Sequence, residues 1–129
     1  MYRPIHVPCL DGRLMALILT VDDEPDVLFL LRVIFERAGH RVIEAPHGQA
    51  ALEALQQQRP DVIVTDLMMP VMDGREFLEN LKADPNTASI PVLMLTANPN
   101  GAVGADVIMR KPFSNSEIVE RVESLAGGS

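Results

Sequence analysis

The chain has 129 residues, of which 47% are apolar and 22% charged, values typical of one soluble globular domain with a substantial core. Its formal net charge of −7, without a cluster of Lys and Arg, argues against a nucleic-acid-binding function. The single cysteine excludes an internal disulfide, and the longest apolar run, near residues 14–21, is too short to span a bilayer.

The two ends of the chain differ in pattern from the middle. Residues 1–14 contain two prolines and no clear period, so they are interpreted as an irregular extension in which Cys9 is an incidental thiol. Met15 opens the ordered pattern and is a candidate for the biological start. Residues 15–126 are predicted to form the domain, and residues 127–129 a flexible tail. Because no signal peptide is recognisable, we expect a cytoplasmic location and no membrane partner.

Strands and helices alternate in the first half of the domain. Residues 16–21 form a continuous apolar run typical of a strand buried on both faces. A helix is predicted for residues 24–40, because Pro25 suits its first turn and Gly39 its end. An edge strand, Arg41–Ala45, and a second helix, residues 48–58, follow.

The alternation continues in the second half of the domain. Asp73 and Glu76 are spaced as a variant of the capping box, and Ser114 and Glu117 form a second one, so each pair marks a helix start. The predicted strands are residues 61–65, 91–95 and 106–110, and the predicted helices are residues 73–83 and a last helix beginning at Ser114.

This order of elements predicts an α/β fold, in which helices cover both faces of a doubly wound, five-stranded parallel sheet. In such folds the ligand site lies at the carboxyl ends of the strands. That edge of the sheet is therefore where chemistry is expected.

Polar side chains follow four of the five predicted strands. Neighbouring strands lie about 5 Å apart, so these groups can meet. Three nearby carboxylates need a cation or protons, and hard oxygen ligands with room for water favour Mg²⁺. An Asp can then act as a nucleophile and form an aspartyl phosphate, while an amine and a hydroxyl stabilise the phosphoryl oxygens. The side chains are Asp22, Asp23, Asp66, Thr96 and Lys111.

Each of these residues also has a purely structural interpretation. A single Asp after a strand usually caps a turn or helix, and an isolated Lys is usually solvated. The five residues together, at one edge of one predicted sheet, favour a functional site. Glu24 is interpreted as a helix-start residue that points away from it.

Four motifs, "VDDEPD", "DLMMPVMDG", "LTA" and "KPF", occur in this order between residues 16 and 126. In this respect the chain resembles the receiver domains of two-component response regulators. The resemblance implies a flavodoxin-like fold with strand order 2-1-3-4-5. It also implies that Asp66 accepts a phosphoryl group from a histidine kinase or a histidine phosphotransfer protein, and that the change is read by a downstream protein or passed on.

The resemblance further implies individual roles. Asp22, Asp23 and Asp66, with the backbone carbonyl of Met68, match the Mg²⁺ ligands of the family. Thr96 matches its switch hydroxyl, and Lys111 the lysine that contacts the phosphoryl group. Pro112 matches the proline that commonly follows this lysine through a cis bond.

Two features depart from the family pattern. Only 11 residues run from Thr96 to Asp106, and they include Pro99, Gly101 and Gly104, so a loop or at most one turn is predicted instead of the usual fourth helix. The second departure is Ile108, which stands where relatives often carry Tyr or Phe. The phosphorylation chemistry does not depend on either feature, but the way the signal is read does.

The short crossover has an expected consequence for packing, because one face of the fourth and fifth strands would be less covered. The residues that we expect to be exposed there are Met94, Val107 and Met109. A homodimer contact or a docked partner protein would cover them; alternatively, the loop itself folds over the gap with Val103. On the first helix, Phe29 is either a contact for the phosphodonor protein or an ordinary exposed aromatic.

Other functions are compatible with the predicted fold. A silent receiver, which binds a partner without being phosphorylated, is disfavoured because all five site residues are present. A flavodoxin-like cofactor binder would want phosphate-cradling amides after the first strand, where this chain has carboxylates. A metal-dependent phosphatase is a distant alternative, since no substrate lid is recognisable. The leading interpretation is a stand-alone receiver, which is an enzyme only in catalysing its own phosphorylation and dephosphorylation.

Overall fold

Five parallel strands form the central sheet of the computed structural model, which describes residues 9–10, 13–101 and 104–127. The strand order is β2-β1-β3-β4-β5, as the family resemblance implied. Each predicted strand is confirmed to within about one residue, as expected for element boundaries. The strands are β1 (Leu17–Val21), β2 (Arg41–Ala45), β3 (Val62–Asp66), β4 (Val92–Thr96) and β5 (Val107–Arg110).

In the described part of the chain, four helices cover the two faces of this sheet, and each starts where the sequence predicted a helix start. Asp73 accepts a hydrogen bond from the backbone N–H of Glu76, and Ser114 accepts one from that of Glu117, so both predicted caps are confirmed. The helices are α1 (Pro25–Arg37), α2 (Gly48–Gln57), α3 (Gly74–Ala83) and α4 (Asn115–Ala126).

The core consists of two apolar layers, one on each face of the sheet. On one face, Ala51 and Leu55 of α2 pack with Phe77 of α3 against β1, β3 and β4. On the other face, Phe35 of α1 and Ile118 of α4 lie in the second layer. Every residue of β1, β3 and β4 is buried, which explains why these strands appear in the sequence as continuous apolar runs. Among the described residues, none of the helices combines the length and apolarity that crossing a bilayer requires.

The connection between β4 and β5 is short, as predicted. Among the residues of this connection that the structure describes, the regular structure is one 3₁₀ turn, Pro99–Gly101. Gly104 follows with a positive φ of 95°, a conformation that glycine adopts without strain. The proposed cover by Val103 lies outside the described residues.

The expectation of exposed side chains beside this crossover is wrong for both methionines. Met94 and Met109 are buried, and Val107 is half-buried. Val107 and Met109 belong to the layer that contains α1 and α4, whereas Met94 belongs to the layer that contains α2 and α3. Ile108, which pairs in register with Met94, is the exposed residue of this group, with 40% of its surface accessible.

The amino-terminal extension is partly regular, which the sequence did not predict. Cys9–Leu10 pairs antiparallel with Arg13–Leu14 just before β1. The thiol of Cys9 and residues 128–129 of the predicted tail, 127–129, lie outside the described part of the chain. The assignment of Met15 as the biological start stays a prediction.

Candidate functional site

The carboxyl ends of β1 and β3 bring three carboxylates together. Asp66 is the last residue of β3, Asp22 directly follows β1, and the two strands are paired in register from Ile18 with Val62 to Val21 with Thr65. Each of Asp22, Asp23 and Asp66 offers a carboxylate oxygen within 4.8 Å of the others. Asp22 and Asp66 are buried and Asp23 is exposed, so two of the three carboxylates lie inside the protein and the third faces solvent.

Lys111 supplies the positive charge of this cluster. Its Nζ atom lies 3.2 Å from Asp66 Oδ1 and 3.5 Å from Asp22 Oδ2. The backbone holds the residue in place, because the N–H of Lys111 donates to the carbonyl of Thr96 at 2.8 Å. The following peptide bond, Lys111–Pro112, is cis, as the family resemblance implied.

Burial and charge shift the acid–base properties of these groups. Burial raises the pKa of Asp22 and of Asp66, and the attraction of Lys111 offsets only part of that increase. A hydrogen bond from the N–H of Glu24 to Asp22 Oδ1 also favours the ionised form. Burial alone would lower the pKa of Lys111, but the combined attraction of Asp66 and Asp22 raises it. The ammonium of Lys111 therefore remains charged, whereas ionisation of the two buried carboxylates is less favourable than in water.

The donor set fits a divalent cation. In their ionised forms, three carboxylates and one ammonium have a formal charge of −3 + 1 = −2, which one Mg²⁺ ion balances. All three carboxylates supply hard oxygen atoms, and Asp23 lies on the solvent side, where a hydrated ion keeps some of its water. The carbonyl of Met68 stays a predicted ligand; the Met68 side chain itself is 72% exposed.

Thr96 is the buried last residue of β4, the strand that pairs with β3. Its hydroxyl donates to the carbonyl of Asn98 at 3.1 Å and accepts from the N–H of Asn98 at 3.0 Å. The structure thus places Thr96 at the predicted edge of the sheet but engages its hydroxyl with the crossover loop. Glu24, interpreted as a helix-start residue, is the exposed N-cap residue of α1.

Gly74 supports the site, although the sequence pattern assigned it no role. Its N–H donates to the carbonyl of Leu67 at 2.7 Å. A Cβ atom at this position would collide with the backbone carbonyl oxygen of Asp66 and approach the Cα atom of Leu67 to 2.8 Å. Only glycine therefore allows α3 to start this close to Asp66. The "DG" pair that precedes the helix was the available signal, since a glycine there permits close backbone approach.

The family of the chain follows from a match over residues 18–123 to the family described as Response regulator receiver domain. The chain belongs to this family of two-component signalling systems, which confirms the resemblance found in the sequence. A similar relative is the Bacillus subtilis alkaline phosphatase synthesis transcriptional regulatory protein PhoP, 39% identical over 115 residues. The match covers 84% of this chain and 47% of PhoP, so the chain spans about half the length of that relative.

Solved structures show the same fold. The signal receiver domain of a histidine kinase from Syntrophus aciditrophicus has a TM-score of 0.82 and 33% identity, covering 88% of this chain and 91% of that one. The receiver domain of the Pseudomonas aeruginosa sensor histidine kinase PA1611 has a TM-score of 0.81 and 27% identity, covering 87% and 98%. That second protein was solved with a magnesium ion coordinated in its active-site cleft.

Proposed function

We propose that this chain is a phosphorylatable receiver of a phosphorelay, in which Asp66 accepts a phosphoryl group from a phosphohistidine. The donor is a histidine kinase or a histidine phosphotransfer protein. A partner protein reads the phosphorylated state, or the phosphoryl group is passed on. The protein is an enzyme only in the limited sense that it promotes phosphorylation and dephosphorylation of itself.

The observation that carries the proposal is the contact between Lys111 and Asp66 inside the carboxylate cluster. Lys111 Nζ lies 3.2 Å from Asp66 Oδ1, and the N–H of Leu67 donates to the same oxygen at 3.0 Å. Both contacts hold Oδ1, and the other oxygen, Oδ2, is the nucleophile in this proposal. The amine is then already beside the position where phosphoryl charge would develop.

The transfer balances without a further reactant. A lone pair on Asp66 Oδ2 forms a bond to phosphorus while the N–P bond of the phosphohistidine breaks. The electron pair of that bond goes to the imidazole nitrogen, and a ring that enters with its second nitrogen protonated leaves neutral. Lys111 stabilises one phosphoryl oxygen, and in the phosphorylated state the Thr96 hydroxyl donates to another.

Asp22, Asp23 and Asp66 are the residues that would hold Mg²⁺, with the Met68 carbonyl as a further ligand. When bound, the ion supplies the positive charge that allows carboxylates and phosphoryl oxygens to lie close together. The charge balance of the cluster and the magnesium described for the PA1611 receiver support this assignment.

The surface around α1 is the proposed docking site for the phosphodonor protein. Phe29 has 66% of its surface exposed and Leu30 45%, although both are large apolar residues on a helix that starts at the site. Phe29→Ala should slow phosphotransfer from the cognate donor but leave phosphorylation by a small acyl phosphate unchanged. Equal transfer rates for the variant and the wild type would remove Phe29 from the contact.

The exposed side of β5 is the proposed output surface, where a downstream protein or a second copy of this chain would bind. Ile108 is exposed on this strand, which contacts the 3₁₀ turn of the short crossover. Light scattering at high concentration, with and without phosphodonor, distinguishes these partners. A monomer in both states would exclude the homodimer.

The phosphorylation itself is tested by incubating the protein with Mg²⁺ and a small acyl phosphate. We expect one phosphoryl group per chain by intact mass, stable in acid and labile in base. Asp66→Asn and a metal chelator should each abolish the adduct. Asp26→Asn is the matched control, because Asp26 is an exposed carboxylate of the first turn of α1, outside the cluster. An adduct that survives Asp66→Asn, or no adduct in the wild type, would contradict the proposal; the latter outcome favours a silent binding module.

A further inference from the structure

A groove of about 580 Å³ lies between α1 and α4. Its apolar lining comes from Leu30 and Val33 of α1 and from Val119 of α4. Leu30 has 45% of its surface exposed, and the two valines are half-buried. These side chains form an apolar strip at the surface, which is the kind of surface that a further apolar segment covers.

One end of the groove lies beside the start of the central sheet. Glu123 lines the groove, and its Oε2 atom is 2.8 Å from Nε2 of His40. The other ring nitrogen of His40, Nδ1, accepts a hydrogen bond from the N–H of Ala16 at 3.0 Å. A single side chain therefore connects the groove to the residue that directly precedes β1.

The short hairpin before β1 returns the chain to the same end of the groove. Cys9 pairs with Leu14, so their backbones lie about 5 Å apart. Leu14 in turn is two residues before Ala16. Residues 1–8, which lie outside the described part of the chain, are therefore attached close to the end of the groove that Glu123 lines.

The length of residues 1–8 suits the groove. The groove follows α1 from Leu30 to Ala38, which is about 12 Å at the rise per residue of an α-helix. Eight residues reach about 25 Å when they are extended. Pro4 and Pro8 favour an extended backbone for themselves and for the residues before them. The segment is thus long enough to follow the groove from end to end.

The composition of residues 1–8 also complements the groove. The segment, MYRPIHVP, consists mainly of apolar side chains and carries the cation of Arg3 without any carboxylate. The charged side chains that line the groove are Glu120, Glu123 and Arg37, with a formal sum of −2 + 1 = −1. Apolar contacts and opposite charges therefore favour the same occupant.

We propose that residues 1–8 bind in the groove between α1 and α4 of their own chain. Leu30 also belongs to the proposed docking surface for the phosphodonor protein, so the bound segment covers part of that surface. A donor that docks there has to displace the segment first. This consequence rests on the proposed function of Asp66, whereas the binding of the segment does not depend on it.

Tyr2 reports the position of the segment, because it is the only tyrosine of the chain and the chain has no tryptophan. Tyrosine fluorescence of the full-length protein therefore arises from this segment alone, and acrylamide quenching measures how accessible Tyr2 is. We expect the quenching constant of the native protein to be at most about half of that in urea, because a docked aromatic ring is shielded from the quencher.

Leu30→Ser tests whether the groove provides this shielding. The variant should raise the quenching constant of Tyr2 roughly 1.5-fold to twofold, toward the value in urea, because an apolar contact is lost. Phe29→Ser is the matched control. Phe29 is the preceding residue on α1 and has 66% of its surface exposed, but it does not line the groove. Phe29→Ser should leave the quenching constant unchanged.

Arg3→Glu changes the segment and leaves the groove intact. It should also raise the quenching constant, because a carboxylate would then face Glu120 and Glu123. Dilution separates the possible occupants of the groove. Binding within one chain gives a quenching constant that is independent of protein concentration. A constant that falls as the concentration rises would show that a second copy supplies the segment, and would overturn the proposal.

Two further results would overturn the proposal. One is a quenching constant that is the same in the native protein and in urea, and the other is an equal constant for Leu30→Ser and Phe29→Ser. Failure of the proposed phosphorylation looks different. Tyr2 is measured without any phosphodonor, so a chain that forms no adduct would leave these fluorescence results as they are.

Discussion

Lys111 Nζ lies 3.2 Å from Asp66 Oδ1, and this contact joins the carboxyl end of β3 to the loop after β5. The two residues are 45 positions apart in the chain, and the parallel sheet brings them to one edge. The same ammonium lies 3.5 Å from Asp22 Oδ2, so one cation serves two buried carboxylates. The geometry of the site thus depends on three separate strand ends.

Lys111→Met should slow phosphorylation of Asp66 by roughly 10- to 100-fold, because it removes a preorganised cation from the position where phosphoryl charge develops. Methionine keeps an apolar stem of similar length and removes only the charge. The rate is measured with Mg²⁺ and a small acyl phosphate. Arg110→Ala is the control, since Arg110 is an exposed neighbouring cation. Equal rates for Lys111→Met and the wild type would remove Lys111 from the chemistry.

Asp66→Asn should be more stable than the wild type at neutral pH without a divalent cation. Burial raises the pKa of Asp66 above the value of 3.8 that it has when unfolded. The folded state therefore binds more protons than the unfolded state between these two pKa values, and stability falls as pH rises through that window. Asparagine lacks this cost, and we expect a gain of about 0.5–2 kcal/mol, the usual size for a stabilising substitution.

The pH dependence and the ion give two checks on this prediction. The advantage of Asp66→Asn should shrink as pH falls and level off below 3.8, where the wild-type carboxyl is protonated in both states. Added Mg²⁺ should raise the melting temperature of the wild type more than that of the variant, because it binds the folded cluster. If the variant is less stable than the wild type without Mg²⁺, the attraction between Lys111 and the Asp66 carboxylate outweighs the cost of burying that carboxylate.

Gly74→Ala should destabilise the fold by about 2–4 kcal/mol, because the added methyl group would collide with backbone that cannot move aside easily. The collision involves the carbonyl of Asp66, so phosphorylation should fall as well. Gly48→Ala provides the comparison, since the nearest atoms that its Cβ would meet belong to the flexible side chain of Met72. Urea denaturation measures both variants, and similar losses for the two would contradict the close approach at Gly74.

The sequence was sufficient for the order of elements, because β1, β3 and β4 are buried on both faces and appear as continuous apolar runs. It did not show which β5 side chains face which helices. That assignment depends on the register of Leu93 with Val107, which puts Val107 and Met109 on the covered face and Ile108 on the open one. Side chains alternate along a strand, so only the pairing shows which half is exposed.

For the site, motif order identified the residues that the structure brings together, namely Asp22, Asp23, Asp66 and Lys111. The hydrogen bonds of Thr96 with Asn98 could not be predicted, since no pattern specifies how a three-residue turn closes. The contacts of the His40 side chain could not be predicted from the sequence either. Its buried ring accepts from the N–H of Ala16 and contacts Glu123, residues that are 24 and 83 positions away.

Val71→Asn should stabilise the protein by about 0.5–1 kcal/mol, because Val71 has a positive φ of 68°, which β-branched residues rarely adopt and asparagine tolerates. The side chain of Val71 is 98% exposed, so little packing is lost. The midpoint of urea denaturation measures the change. A lower midpoint for Val71→Asn would show that the valine makes a stabilising contact.

The identity of the phosphorylated residue is the most direct test of the central claim. After incubation with Mg²⁺ and a small acyl phosphate, tandem mass spectrometry of the digested wild-type protein locates the phosphoryl group. We expect a single modified residue, Asp66. A phosphoryl group on Asp22, Asp23 or a histidine, or an unmodified chain, would contradict it.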